Sequence, residues 1–148
     1  MKNSYAKSGV KDAGYYMDWK IFSTAPYASG THGGRHVSNY GNAVAEEAYA
    51  LYEEGGKMPV GSVLAKDSFA VQTDGRAVVG PLFMMEKMAA GFNEASGNWK
   101  YTLILPNGQT VGTTNGQGSG AVKFCYECHM AAEDTDSLFF LPEEVRIN

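Results

Sequence analysis

Near the C-terminus two cysteines and a histidine stand together as Cys125-Tyr126-Glu127-Cys128-His129. Two thiols three residues apart on one helical turn can each form a thioether with a haem vinyl group. The residue that follows is then aimed at the iron as a nitrogen ligand. With two cysteines and three histidines in 148 residues, this arrangement arises by chance about once in 4,000 placements. Two other chemistries use paired thiols. A redox dithiol belongs beside the first strand and helix of a βαβ unit, whereas this pair lies late in a chain that reads as antiparallel. Zinc needs four ligands, and the other histidines, His32 and His36, lie about 90 residues upstream with no paired cysteines. The spacing points to a single covalent haem c with His129 as its protein ligand to iron.

The group on the far side of such an iron decides what it does. Histidine with methionine favours electron transfer, while an open position admits small ligands. Met84, Met85 and Met88 fall in one strand-like run, which puts Met84 and Met88 on one face and Met85 on the other. They are candidates either for iron ligation or for filling irregular gaps in the core. His32 and His36 lie in the glycine-rich stretch Ser-Gly-Thr-His-Gly-Gly-Arg-His, where a histidine serves either as a ligand or as a surface or turn residue.

The elements that must position these residues read as follows. Residues 1–18 are polar and rich in small side chains and are expected to form a loosely tied arm. Residues 19–148 form a single domain. Trp19–Tyr27 predicts a short strand ending at Pro26, followed by the glycine-rich loop. A helix is predicted after Asn42 as N-cap, with Glu46 and Glu47 near its positive end, Val44, Ala48 and Leu51 on one face, and Gly55-Gly56 as its stop. Ser62–Gln72 and Arg76–Met88 flank the turn Thr73-Asp74-Gly75 and predict a hairpin, with Pro81 marking an edge strand or a bulge. Asn98–Leu105 and Gln109–Thr113 predict a second pair around Pro106-Asn107-Gly108. Residues 114–120 read as a flexible connector. A short helix from about Ala121 carries the haem motif, and Phe139, Phe140 and Leu141 pack back on the body. The fold class is α+β, mainly an antiparallel β-sheet with a few flanking helices and the haem bound near the C-terminus.

Composition sets the outer bounds. The net charge is −4 and no basic cluster occurs, which argues against nucleic acid as a partner. No apolar run reaches the roughly 18 residues of a transmembrane helix, so no membrane partner is expected. The first twenty residues lack the apolar stretch of a secretion signal and do not read as one.

Taken in order, the segments GRHVSNYGNAVAEEAY, MPVGSVLAKDSF, GPLFMMEKMAAGFNEASGNWKYT and FCYECH resemble the cytochrome P-460 and cytochrome c′-beta family, from about Trp19 to the C-terminus. The resemblance implies an antiparallel sheet with helices, one pentacoordinate haem on the C-terminal motif, a homodimer and a bacterial periplasmic setting. In the hydroxylamine-oxidising branch a lysine after a Pro-x-Gly turn is cross-linked to the porphyrin, and Lys66 falls at the matching place. Lys66 also interrupts an apolar strand between Val63, Leu64 and Phe69. That branch keeps a carboxylate over the iron, where this chain aligns Phe83, with Glu86 the nearest acid. A phenylalanine there gives an apolar cap, suited to nitric oxide or carbon monoxide, and provides no base for hydroxylamine. The same alignment makes Arg35 a candidate distal donor.

Three functions follow as expectations. An open haem would bind a small gaseous ligand such as nitric oxide. An enzyme would oxidise hydroxylamine, with Lys66 cross-linked and Glu86 as proton acceptor, and pass electrons to a partner cytochrome. A plain electron-transfer cytochrome would carry a methionine or histidine as sixth ligand.

Overall fold

The computed structural model describes residues 2–147. Among these, eight strands form one antiparallel sheet, as the alternating patterns predict. After a short helix α1 (Lys2–Tyr5) come β1 (Lys20–Ile21), β2 (Tyr27–Ser29), β3 (Arg35–Gly41), a one-turn helix α2 (Glu46–Tyr49), β4 (Val63–Val71), β5 (Ala77–Val79), β6 (Leu82–Lys87), β7 (Trp99–Ile104), β8 (Thr110–Thr113) and helix α3 (Lys123–His129). The main path runs β1-β3-β4-β6-β7-β8, with β2 on β3 and β5 on β4.

Register explains the two faces. Asn39, Lys66, Phe83 and Leu103 pair successively across β3, β4, β6 and β7, and Gly41, Leu64, Met85 and Tyr101 form the next such row. Alternation sends these rows to one face, here the front, and sends Tyr40, Ala65, Met84 and Thr102 to the back. The back core joins Tyr40, Val63, Ala65, Leu82, Met84 and Ile104 to Tyr5, Ala13 and Tyr16 of the N-terminal segment. The front core joins Leu64, Trp99 and Tyr101 to Phe22, Ala45, Tyr49, Met58 and Leu138, with Cys125 and Tyr126 of α3 packed on it.

The N-terminal segment is therefore not a loose arm. Tyr5 and Tyr16 are fully buried; Tyr5 Oη donates to the Gly80 carbonyl at 2.5 Å and Tyr16 Oη to Asp67 at 3.1 Å. Mean polarity hides this because a few tyrosines, spaced among lysines and glycines, join Ala13 and Val10 in covering the back face. Arg35 and His36, expected in a loop, already belong to β3.

The predicted helix after Asn42 shrinks to α2 plus a 3₁₀ turn at Tyr52–Glu54, and the buried face is Ala45, Tyr49 and Tyr52. Val44 and Leu51 are 48% and 58% exposed. Tyr52 takes φ 50°, which breaks the helical period before the expected face can close. Asn42 does cap the opening turn, accepting from Ala45 N at 3.1 Å, and also accepts from Val63 N at 3.0 Å.

Pro81 breaks the run between β5 and β6, but β6 is a central strand between β4 and β7 rather than an edge. Gly80 at that break has no room for a side chain, because a Cβ would run into Ser68 Oγ and the Arg35 side chain. The 114–120 connector is tied down: Thr114 is buried and accepts from Tyr101 N at 3.0 Å, and Thr113 N donates to Gln117 O at 3.0 Å.

Candidate haem site

Helix α3 lies across the front face, anchored by fully buried Val122 just before it and followed by the C-terminal tail. Between helix, tail and sheet is a cleft with about 860 Å³ of empty space, its open mouth included. Cys125, Cys128 and His129 border it from α3; Asn39, Lys66, Phe83, Met85 and Tyr101 border it from the sheet.

Cys125 is half-buried, Cys128 is exposed, and the two are not joined in a disulfide. Burial pushes the Cys125 thiol up to about 11. A redox pair needs one thiolate stabilised near neutral pH, and burial disfavours that role for Cys125. Among the described residues, no group of three or more His, Cys, Asp or Glu side chains is placed to hold a metal ion, which removes the zinc alternative for these thiols.

His129 is held in one tautomer. Its Nδ1 lies 2.7 Å from the Ser137 carbonyl. A carbonyl only accepts, so Nδ1 carries the proton and Nε2 keeps its lone pair. Burial lowers the His129 pKa despite that bond, with Lys66 adding to the effect; the ring therefore stays neutral, as an iron ligand must. Tyr101 and Phe139 flank the ring at 5.3 and 5.5 Å between centroids.

The carbonyl is aimed by an unusual turn. Asp136 and Ser137 have φ of 54° and 65°, left-handed values that non-glycine residues adopt at a cost. The turn is over-determined by its neighbours. Trp99 Nε1 donates to Asp136 O at 2.8 Å, Lys87 Nζ meets Asp136 Oδ1 at 2.6 Å, and Met58 N donates to Asp136 Oδ2 at 2.8 Å. These supports were invisible in the sequence reading. Asp136 belongs to an acidic stretch that resembles solvated surface, and only its 2.6 Å partner forty-nine residues back reveals its role.

Lys66 projects from the middle of the front face. Burial lowers its amine to about 8, and no described residue forms an ion pair with it. Phe83, its neighbour across β4 and β6, also lines the cleft. The orphaned hydroxyl of Tyr101, buried on the cleft wall with no hydrogen-bond partner, fits a site whose occupant completes its bonding. The apolar walls, the paired thiols and the prepared imidazole likewise fit a haem.

Several sequence candidates fall elsewhere. Glu86 pairs with Lys100 across β6 and β7, on the back-face row, where the two form an ion pair and border a separate cavity beside Val10 and Asp12. Strand alternation turns it away from the cleft, so it is not a proton acceptor there. Arg35 does not border the cleft; its Nη1 donates to the His32 carbonyl at 3.2 Å. His36 sits on the back-face alternation, stacked on Phe69 at 5.3 Å, which removes it as a ligand. Met84 is core and also borders the cleft, as Met85 does, while Met88 lies beyond β6. His32 borders the cleft as well.

No curated protein matches the chain. A family model, Cytochrome P460, matches residues 13–140, most of its length. With the fold and a cleft fitted to haem, that match places the chain in the cytochrome P460 family.

Proposed function

We propose that this protein is a mono-haem c-type cytochrome with an open distal side, which binds small ligands such as nitric oxide. Cys125 and Cys128 would hold the group through thioethers, and His129 would ligate the iron. When bound, haem supplies a redox-active iron with one position for a small ligand.

The observation that carries the reading is the His129–Ser137 contact of 2.7 Å, which leaves Nε2 as a bare nitrogen beside both cysteines. The chain's other contributions are to orient and to exclude. Phe83 and Met85 present apolar surface to the cleft, which disfavours charged ligands and water. With Glu86 on the back face, no carboxylate lines the cleft among the described residues, which favours gas binding.

One observation supports a second reading, hydroxylamine oxidation. The Lys66 amine, lowered to about 8 by burial, has an appreciable uncharged fraction near neutral pH and is the only lysine lining the cleft among the described residues. An uncharged amine is a nucleophile, which suits a cross-link to the porphyrin; exchanging a ring C–H and an amine N–H for a C–N bond would release two protons and two electrons, to be taken up by an oxidant such as a peroxide. A homodimer in the periplasm belongs to either reading.

The test is an optical spectrum of the purified protein, ferric and dithionite-reduced, with and without carbon monoxide. An ordinary haem c spectrum that shifts with carbon monoxide supports the open site without a cross-link. A strongly red-shifted ferrous band makes Lys66 the cross-link and hydroxylamine oxidation the function. Failure of the ferrous protein to take carbon monoxide overturns both in favour of an electron carrier with Met85 or a histidine as sixth ligand.

A further inference from the structure

His32 reaches the cleft by a route that sequence reading does not show. Between β2 and β3 the chain turns through Gly30–His32, then through Gly33 and Gly34 at φ 75° and 67°. The His32 ring meets Phe83 edge-on, with centroids 4.7 Å apart at 71°. The loop is pinned beneath it by the Arg35 bond to its carbonyl at 3.2 Å.

The two cleft histidines differ in what they offer. Nδ1 of His32 lies 2.8 Å from Ser29 Oγ and 3.2 Å from Thr31 Oγ1. Each hydroxyl brings its own proton, whereas a ring N–H makes one strong bond. Nδ1 is thus occupied within its own loop; where it accepts a hydroxyl proton, the ring proton sits on Nε2 and faces the cleft. His129, bonded to a carbonyl, has the opposite tautomer. Iron requires a lone pair, so His129 can ligate, and His32 in this tautomer can only donate.

We propose that His32 is the distal hydrogen-bond donor of the cleft, directing Nε2–H at small ligands whose outer atom carries partial negative charge: nitrogen oxides and dioxygen rather than carbon monoxide. This rests on the haem reading above, with His129 as ligand. Arg35 then acts as a positioning residue for the His32 loop. Burial, with Lys66 and His129 nearby, lowers the His32 pKa to about 3, so the ring remains a neutral donor through the physiological range.

The test uses the ferrous holoprotein and the variants His32→Leu, His32→Gln and Arg35→Gln, with carbon monoxide and nitric oxide as probes. In His32→Leu the carbon monoxide stretch rises, because a donor no longer polarises the outer atom. Nitric oxide release quickens about tenfold, equivalent to roughly 1.4 kcal/mol or one hydrogen bond. His32→Gln, which keeps an N–H, stays closer to the parent, and Arg35→Gln falls between. An unchanged stretch in His32→Leu overturns the proposal. So does a six-coordinate parent that becomes five-coordinate in His32→Leu, which would make His32 a ligand with a bare Nε2. Absence of a carbon monoxide adduct in the parent and every variant overturns the open-site reading itself.

Discussion

Lys66 and Asp67 are neighbours in β4, and they end in opposite kinds of environment. On the front face Lys66 has no ion-pair partner among the described residues, at a cleft that includes an orphaned tyrosine hydroxyl and two exposed or half-buried thiols. On the back face Asp67 is enclosed by Tyr16 and Tyr40, accepts hydrogen bonds from both and from Ser38, and has its pKa raised chiefly by burial. Asp67 is buried and Lys66 half-buried on one strand. Asp67 has its hydrogen bonds supplied by the fold, and Lys66 does not. Around these two residues the strand divides its labour: Asp67 is satisfied by the back core, and the front beside Lys66 is left partly unsatisfied where a bound group completes it.

The largest expected effect breaks the back face alone. Tyr16→Ala removes a fully buried ring that packs on Tyr5 at 6.2 Å and on Tyr40 at 5.2 Å between centroids, along with a hydrogen bond to Asp67. Denaturant unfolding should show a loss of about 3–5 kcal/mol, with the carbon monoxide spectrum of the folded variant unchanged. A variant of native stability would mean that the N-terminal segment is the loose arm its polarity suggested.

Nearly as large is Asp136→Ala, which acts on the front. It strands Lys87, only 11% exposed as a side chain, and releases the turn that aims Ser137 at His129. Breaking a buried pair by removing one partner costs about 3–5 kcal/mol. Unlike Tyr16→Ala, this change should also alter the iron: a weaker Nδ1–H bond makes His129 a less basic ligand and raises the reduction potential. Stability loss without any shift in potential would separate the turn from the ligand.

These two variants also mark what the sequence made legible. The hairpins, α3 and the haem motif follow from local signals: alternation, Asp-Gly and Asn-Gly turns, and cysteine spacing. Lys66 and Phe83, which line the cleft, stand out in the sequence because they are odd or aligned within a recognisable strand. Asp136, Ser137 and His32 were not assigned these roles because they act through non-local geometry. Asp136 works through a lysine far upstream, Ser137 through its backbone, and His32 through a glycine turn whose fold-back has no residue pattern. Glu86 was misplaced by a single strand position, enough to send it through the sheet.

Lys66→Met sharpens the comparison through pH. The folded-state amine sits at about 8, below the ordinary ~10.4 of an unfolded lysine. Between those values the unfolded chain binds more protons, so the parent gains stability as pH rises. Below pH 8 the parent bears the full cost of burying the charge, and the variant should be the more stable. That advantage should shrink between about pH 8 and 10.4 and then level off, as read by thermal unfolding of apoprotein across the range. A constant difference would mean that Lys66 is solvated or paired in the folded chain.

The smallest effect is expected of Glu86→Gln. Its partner Lys100 is similarly part-exposed, each side chain at 31%, and such pairs contribute at most about 1 kcal/mol. Because alternation sends Glu86 to the back face, the change should leave the carbon monoxide stretch, nitric oxide release and any hydroxylamine turnover at parent values. A large loss of turnover with stability intact would show a proton path through the sheet from β6, and the separation of a satisfied back from a reactive front would fail at that strand.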